Sequence, residues 1–400
     1  MTTEALKEEA FGVIRQLMQD FPGDTGAMAL MGKLHRWLGE TAEAATWWQK
    51  CLEQNPAEVK AYLGLARIAE MKGDSEKALE LWRKAQEINP ALPGVYGLPA
   101  EVLLKMGRTQ EAAAALEKEI QRSPRSSHYH FLLGQAYFQQ REHEKAAQCY
   151  QKAIETEPES SEPYYGLASV CTRLGQADKA REYMEKFQGL RDREEQANEG
   201  LLREPDERPD MILILAWIHV DAGTFCATHL RPKEAEGHWR RAASLDPRDR
   251  PCRQALAGLY RRSGRLPEAL ELYEQLRQID PGNAAYYHGN MGSMLVRLRR
   301  LDAAEETFRK ALELAPNDPP MYRNLVQLLL LRNQKLPEAK ALAQKLVELE
   351  PSAPNYSLLG EACLRNGDRD GAREALRRAL DAGPGNVKTK GGPKDPQLQE

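Results

Sequence analysis

Histidine, acidic and cysteine side chains are the groups in this chain whose spacing invites a search for metal or proton chemistry. His143-Glu144 begins like the helical H-E-x-x-H zinc motif, but the second histidine's position holds Ala147. The pair reads as part of a solvated turn. His219, Asp221, His229 and His238 cluster in sequence, a set that in principle binds metal or shuttles protons. Helical spacing instead gives His219 a core position and sets His238 beside a core-type Trp239. Cys51, Cys149, Cys171, Cys226, Cys252 and Cys363 include no C-x-x-C pair and no metal-ligand spacing. Four fall at repeating core positions, so most read as buried thiols suited to a reducing compartment. No phosphate loop, dinucleotide fingerprint or nucleophile elbow is found. The expectation is no catalysis, no cofactor and no metal.

A different pattern organises the chain. Pro22, Pro56, Pro90, Pro124 and Pro158 recur at one constant interval, and each closes a segment of helical period. Before them lie Ala10-Ile14-Leu17, Ala44-Trp48-Cys51, Ala78-Trp82-Ala85, Ala112-Leu116-Glu119 and Ala146-Tyr150-Ala153. The same spacing sets a first helix before each, at Met28-Met31-Gly32-His35, Tyr62-Leu65-Ala66-Ala69, Tyr96-Pro99-Ala100-Leu103 and His130-Leu133-Gly134-Tyr137. Small residues let two helices approach closely, and the aromatic beside them fills the gap. Gly39, Gly73 and Gly107 occupy the turns, where a helix end favours positive φ. A two-helix unit of this size cannot bury its apolar stripe alone and must stack on copies of itself.

The period and the W-x2-L-G-x2-Y...A-x3-F-x2-A...P pattern resemble the tetratricopeptide repeat family, whose unit is a 34-residue helix-turn-helix. The resemblance covers nearly the whole chain. It implies an all-α fold, a right-handed α-solenoid of about ten repeats. Residues 1–24 supply only a second helix, read as a half repeat that is either a cap or the start of a trimmed chain. Residues 25–187 form a first array, and 188–210 an extended charged helix and linker ending at Pro205 and Pro209. A second array spans 211–384, and its prolines Pro247, Pro281, Pro316, Pro351 and Pro384 keep the interval of the first array to within a single position. The polar stretch 385–400 reads as a disordered tail. The apolar run at 211–217 needs cover. The preceding extended helix is the first expectation, and a homodimer through 188–217 the second.

Charge and composition narrow the partners. The net charge is -3; residues 1–210 hold 27 Lys+Arg against 35 Asp+Glu, and 211–400 hold 29 against 24. An acidic front and a mildly basic rear give no case for nucleic acid. Basic runs at Arg261-Arg262 and Arg297 to Arg300 fall where first helices end and read as caps. The N-terminal residues lack the charge and apolar regions of a signal peptide. MILILAW is too short to span a bilayer, so no membrane insertion is expected. A cytoplasmic protein is expected; a periplasmic one would need an upstream signal or anchor.

Binding residues follow from the groove that the resemblance implies, where repeat positions 2, 5, 9 and 12 face inward. In the fourth full repeat these are His128, Phe131, Gln135 and Phe138, with Tyr165 and Ser169 continuing the wall. Phe131 and Phe138 lie two helical turns apart on a stripe distinct from Leu133 and Tyr137. Large apolar groups facing a groove point to a protein or peptide partner. Corresponding positions further on are Trp217, Gln254, Tyr286, Ser293, Asn324 and Leu328. The carboxylate clamp of some family members is not reproduced at Ala29, Lys33 and Gly64. The function implied is a non-catalytic interaction scaffold, or else the recruiting arm of a larger enzyme or envelope assembly.

Overall fold

The computed structural model describes residues 2–199 and 207–382. These form twenty-one α-helices and one short 3-10 turn, with no strand among the described residues. The stretch 385–400, expected to be a disordered tail, lies outside them. The chain divides into two compact units, Met1–His229 and Leu230–Glu400.

In the first unit α1 (Thr3–Asp20) is followed by hairpins α2/α3 (Thr25–Trp37, Thr41–Gln54) and α4/α5 (Val59–Met71, Ser75–Ile88). Then come α6/α7 (Ala100–Lys105, Thr109–Arg122), α8/α9 (Ser127–Gln139, His143–Thr156) and α10/α11 (Glu162–Arg173, Ala177–Glu199). The second unit comprises α13 (Pro232–Leu245) and hairpins α14/α15 (Arg250–Arg262, Leu266–Ile279) and α16/α17 (Ala284–Arg297, Leu301–Leu314). It ends with α18/α19 (Pro319–Arg332, Leu336–Leu349) and α20/α21 (Ala353–Arg365, Arg369–Asp381).

The proline spacing has its physical cause at helix ends. Helices α1, α3, α5, α7 and α9 each stop just before a proline, which has no N–H to continue the ladder. Each second helix sends an aromatic between two first helices. Trp48 fills the space beside Gly32 of α2 and Gly64 of α4; a Cβ there would lie 2.6 and 2.4 Å from its ring. Tyr150 is held the same way between Gly134 and Gly166. All six cysteines are buried, and none is in a disulfide. Burial pushes the Cys51 thiol up to about 12 and the Cys149 thiol to about 11.

The structure departs from the sequence expectation in three places. The first is the third repeat, where residues 90–99 are turns and only Ala100–Lys105 is helical. Gly94 takes φ +81°, and Tyr129 occupies the space a side chain at Gly97 would need, 2.4 Å away. In place of helical bonds, the N–H groups of Gly94 and Tyr96 donate to the Glu119 carboxylate at 2.9 and 3.2 Å. Glu119 is fully buried.

The second concerns α12 (Glu207–Thr228), expected to open the second array. It belongs to the first unit, where it packs on α1 and on α2. Those three helices stand as α2 stands to α3 and α4, so α12 acts as the first helix of a pair with α1. Leu215, Ile218, Ala222 and Cys226 are fully buried, as are Ala10 and Ile14 of α1. Among the described residues, cover for α12 comes from α1 and α2. Polar pairs frame this seam: Lys33 Nζ meets Asp221 at 2.6 Å, and His229 Nε2 meets Asp24 at 2.8 Å. His219 is buried in it, 3.4 Å from Glu9.

The third is the extent of the apolar segment. Met211–Thr228 is 18 residues long with mean hydropathy 1.6, long and apolar enough by composition to cross a membrane. Of that segment, 56% is buried within the protein, as in the core helix of a solenoid.

Candidate partner-binding surface

Helix α8 is anchored by Leu132, Leu133 and Ala136, all buried. That orientation leaves Phe131, Gln135 and Phe138 half-buried on its other side. The structure brings these three together with Tyr165 and Ser169 of α10 around one cleft of about 350 Å³. Tyr150 and Gly166 form its floor, with the Phe131 ring 5.9 Å from that of Tyr150. Tyr165 is 53% exposed and its ring lies 5.2 Å from Phe187 of α11. The cleft is a largely aromatic trough whose polar groups include the Gln135 and Gln139 amides and the Ser169 hydroxyl, the composition of a side-chain-binding site. His128 is not part of it. It is exposed, its Nε2 3.5 Å from Glu101 and its ring tilted 53° to that of Tyr129.

The remaining expected residues are distributed. Trp217 of α12 is 40% exposed and sits 5.2 Å from Trp37 of α2. In the second unit, Gln254 and Tyr286 line a cavity of about 530 Å³ with Arg250, Asp280 and Tyr287. Gln254 Nε2 donates to Tyr287 Oη at 3.3 Å, and Tyr287 Oη to Asp280 at 2.8 Å. Burial raises the Asp280 carboxyl, but hydrogen bonds from Tyr287, Asn283 and Arg250 outweigh it and hold it below its ordinary value. Asn324 is half-buried beside Gly289 and does not line that cavity. Leu328 is corrected: at 2% exposure it belongs to the core of the second unit, packed with Leu325 and Leu329. Ser293 donates to the Gly289 carbonyl at 3.0 Å. Arg297 does cap a helix end, donating to the Arg261 carbonyl at 3.1 Å.

A second grouping in the first unit was not singled out by the sequence reading, which took up Lys33 only as a position where the carboxylate clamp is not reproduced. Lys33, Arg36, Lys60 and Arg67 line a cavity of about 330 Å³ between α2 and α4, with Asp221 of α12 at its edge. The signal was present: these four occupy the same repeat positions as His128, Gln135 and Phe138, two or three repeats upstream.

Family models described as tetratricopeptide repeat match residues 30–93, 100–161 and 328–387, residues 249–317, and residues 149–182. A search of curated proteins gives no match. Among solved structures, the chain is similar to MamA residues 41-end from Desulfovibrio magneticus RS-1. That likeness has 21% identity and TM-score 0.40, covering 42% of this chain and 96% of that one. It is also similar to a chain of the APC/C hetero-tetramer Cut9-Hcn1, at 15% identity and TM-score 0.33, covering 85% of this chain and 63% of that one. With helical hairpins throughout both units and matching repeats in each, the chain belongs to the tetratricopeptide repeat family.

Proposed function

We propose that the protein is a non-catalytic scaffold that holds an extended segment of a protein partner, with the Phe131/Phe138/Tyr165 cleft as the main side-chain pocket. The observation carrying this reading is that three large rings from two successive first helices remain partly open to water around one cleft. Leaving such apolar area wet is unfavourable unless a partner covers it. Gln135 and Ser169 supply hydrogen bonds that fix the direction of a bound chain. Six buried thiols outside any disulfide support a reducing, cytoplasmic setting.

The test compares wild type with Phe131→Ala/Phe138→Ala in affinity capture from the source cell, followed by identification of the bound protein. The double variant is expected to lose the partner while helicity is kept. Because both rings are half-buried, the cost in stability should stay below the ~3–5 kcal/mol of one fully buried phenylalanine. Undiminished capture would refute the cleft as the binding site.

A further inference from the structure

The cavity of about 530 Å³ between α14 and α16 holds a carboxylate with one oxygen to spare. Asp280 accepts from Tyr287 Oη at 2.8 Å and Asn283 Nδ2 at 2.9 Å, and pairs with Arg250 Nη1 at 3.2 Å, all through Oδ2. Its Oδ1 accepts no hydrogen bond among the described residues. The side chain is 11% exposed and lines the cavity. In so shielded a setting, an unused carboxylate oxygen binds a charged donor strongly.

Aromatic rings complete the wall. Tyr273 and Tyr287 are buried with centroids 6.2 Å apart, while Tyr286 is exposed, its ring 5.6 Å from that of Tyr287 and nearly edge-on to it. Tyrosine ring faces attract cations, the more so where water is displaced. Gln254 adds a carbonyl oxygen, its Nε2 being committed to Tyr287 Oη at 3.3 Å. We propose that this cavity receives the basic side chain, lysine or arginine, of an extended peptide, with Asp280 as its charge partner and Tyr286 as the ring it lies against. The site is separate from the aromatic cleft of the first unit and shares with that reading only that the partner is a protein segment.

Arg250 is the resident cation. Its side chain is 54% exposed, and an ion pair so open to water contributes little. An incoming cation can therefore take its place while the Arg250 guanidinium turns into solvent. Arg250 thus competes with the guest, and its removal should strengthen binding. An anionic guest is disfavoured, because Arg250 is the one cation among the described residues lining the cavity and Asp280 would repel the guest. General attraction offers no help to a basic peptide here. Residues 211–400 hold 29 Lys+Arg against 24 Asp+Glu, a balance that opposes its approach, so binding must come from the cavity itself.

The test uses the full chain and a fluorescein-labelled hexapeptide of alternating lysine and alanine, followed by anisotropy. Its glutamine counterpart and free spermidine serve as competitors. The basic peptide should bind and should weaken with added salt. Asp280→Asn keeps an acceptor for Tyr287 and Asn283 but removes the charge, and should reduce affinity about tenfold or more. Tyr286→Ala, at an exposed ring whose loss leaves the fold intact, should reduce it about threefold or more. Arg250→Gln should raise it about threefold or more, and Phe131→Ala/Phe138→Ala should leave it unchanged. Equal binding of the glutamine peptide, tighter binding of spermidine, indifference to both Asp280→Asn and Tyr286→Ala, no gain from Arg250→Gln, or no binding at millimolar peptide would each overturn the inference. Such a failure beside partner capture that still depends on Phe131 and Phe138 defeats the basic-side-chain site alone. Capture that survives loss of both rings, beside basic-peptide binding that behaves as expected, defeats the cleft reading alone.

Discussion

Glu119 shows how one side chain can replace a turn of helix. It stands where Ala85 and Ala153 stand in the neighbouring repeats, a position that elsewhere allows two helices to touch. Its carboxylate accepts from Gly94 and Tyr96, N–H groups at the start of the repeat, where even a regular helix leaves its first donors to an outside acceptor. Glu119→Ala should therefore cost about 2–4 kcal/mol, one buried and one part-buried donor being left without an acceptor, measured by urea unfolding. A loss under about 1 kcal/mol would mean that water replaces the carboxylate. This irregularity was partly legible, since Pro93, Gly94, Gly97 and Pro99 oppose a helix and a glutamate breaks the small-residue series. The pairing of Glu119 with those amides was not legible, because a hydrogen bond between segments separated by a whole helix leaves no periodic trace. The cleft residues Phe131, Gln135, Phe138, Tyr165 and Ser169 were readable for the opposite reason. Once the constant repeat spacing places every helix, the face of each residue follows from its repeat position alone.

Helix α12 carries the main lesson at the level of elements. Its sequence announced a first helix correctly, with His219 buried where such helices place an aromatic. Its partner was sought among adjacent segments, as is usual when connections are short. The partner is α1, at the opposite end of the first unit's sequence, and only three-dimensional packing reveals it. Pairing with α12 gives α1 cover for Leu6, Ala10, Ile14 and Leu17, which a lone terminal helix would expose. Leu215 is fully buried in this seam. Leu215→Ala should cost about 3 kcal/mol and raise amide hydrogen exchange in α1 as well as in α12. Helices α8 and α9 should keep their protection. Exchange in α1 indistinguishable from wild type would show that α12 does not cover it.

In a repeat array each unit is stabilised by its own packing and by its immediate neighbours, so damage should fade with distance along the array. Within Met1–His229 the order of neighbours in space is not the order in sequence. It runs α12, α1, α2, α3, α4, with the α1/α12 pair stacked before the first complete hairpin. Gly64→Ala tests this arrangement at a site remote in sequence from α12. A Cβ at Gly64 would lie 2.4 Å from the Trp48 ring, forcing α4 away from α2 and α3. Overpacking of that kind costs about 1–3 kcal/mol. The loss of protection should be largest in α2 to α5. It should then reach α12, which rests on α2 although it follows α11 in sequence, before it reaches α8 to α11. An array ordered only by sequence predicts the reverse, with α8 perturbed and α12 untouched. Hydrogen exchange read by mass spectrometry on peptides from α8 and α12 separates the two outcomes.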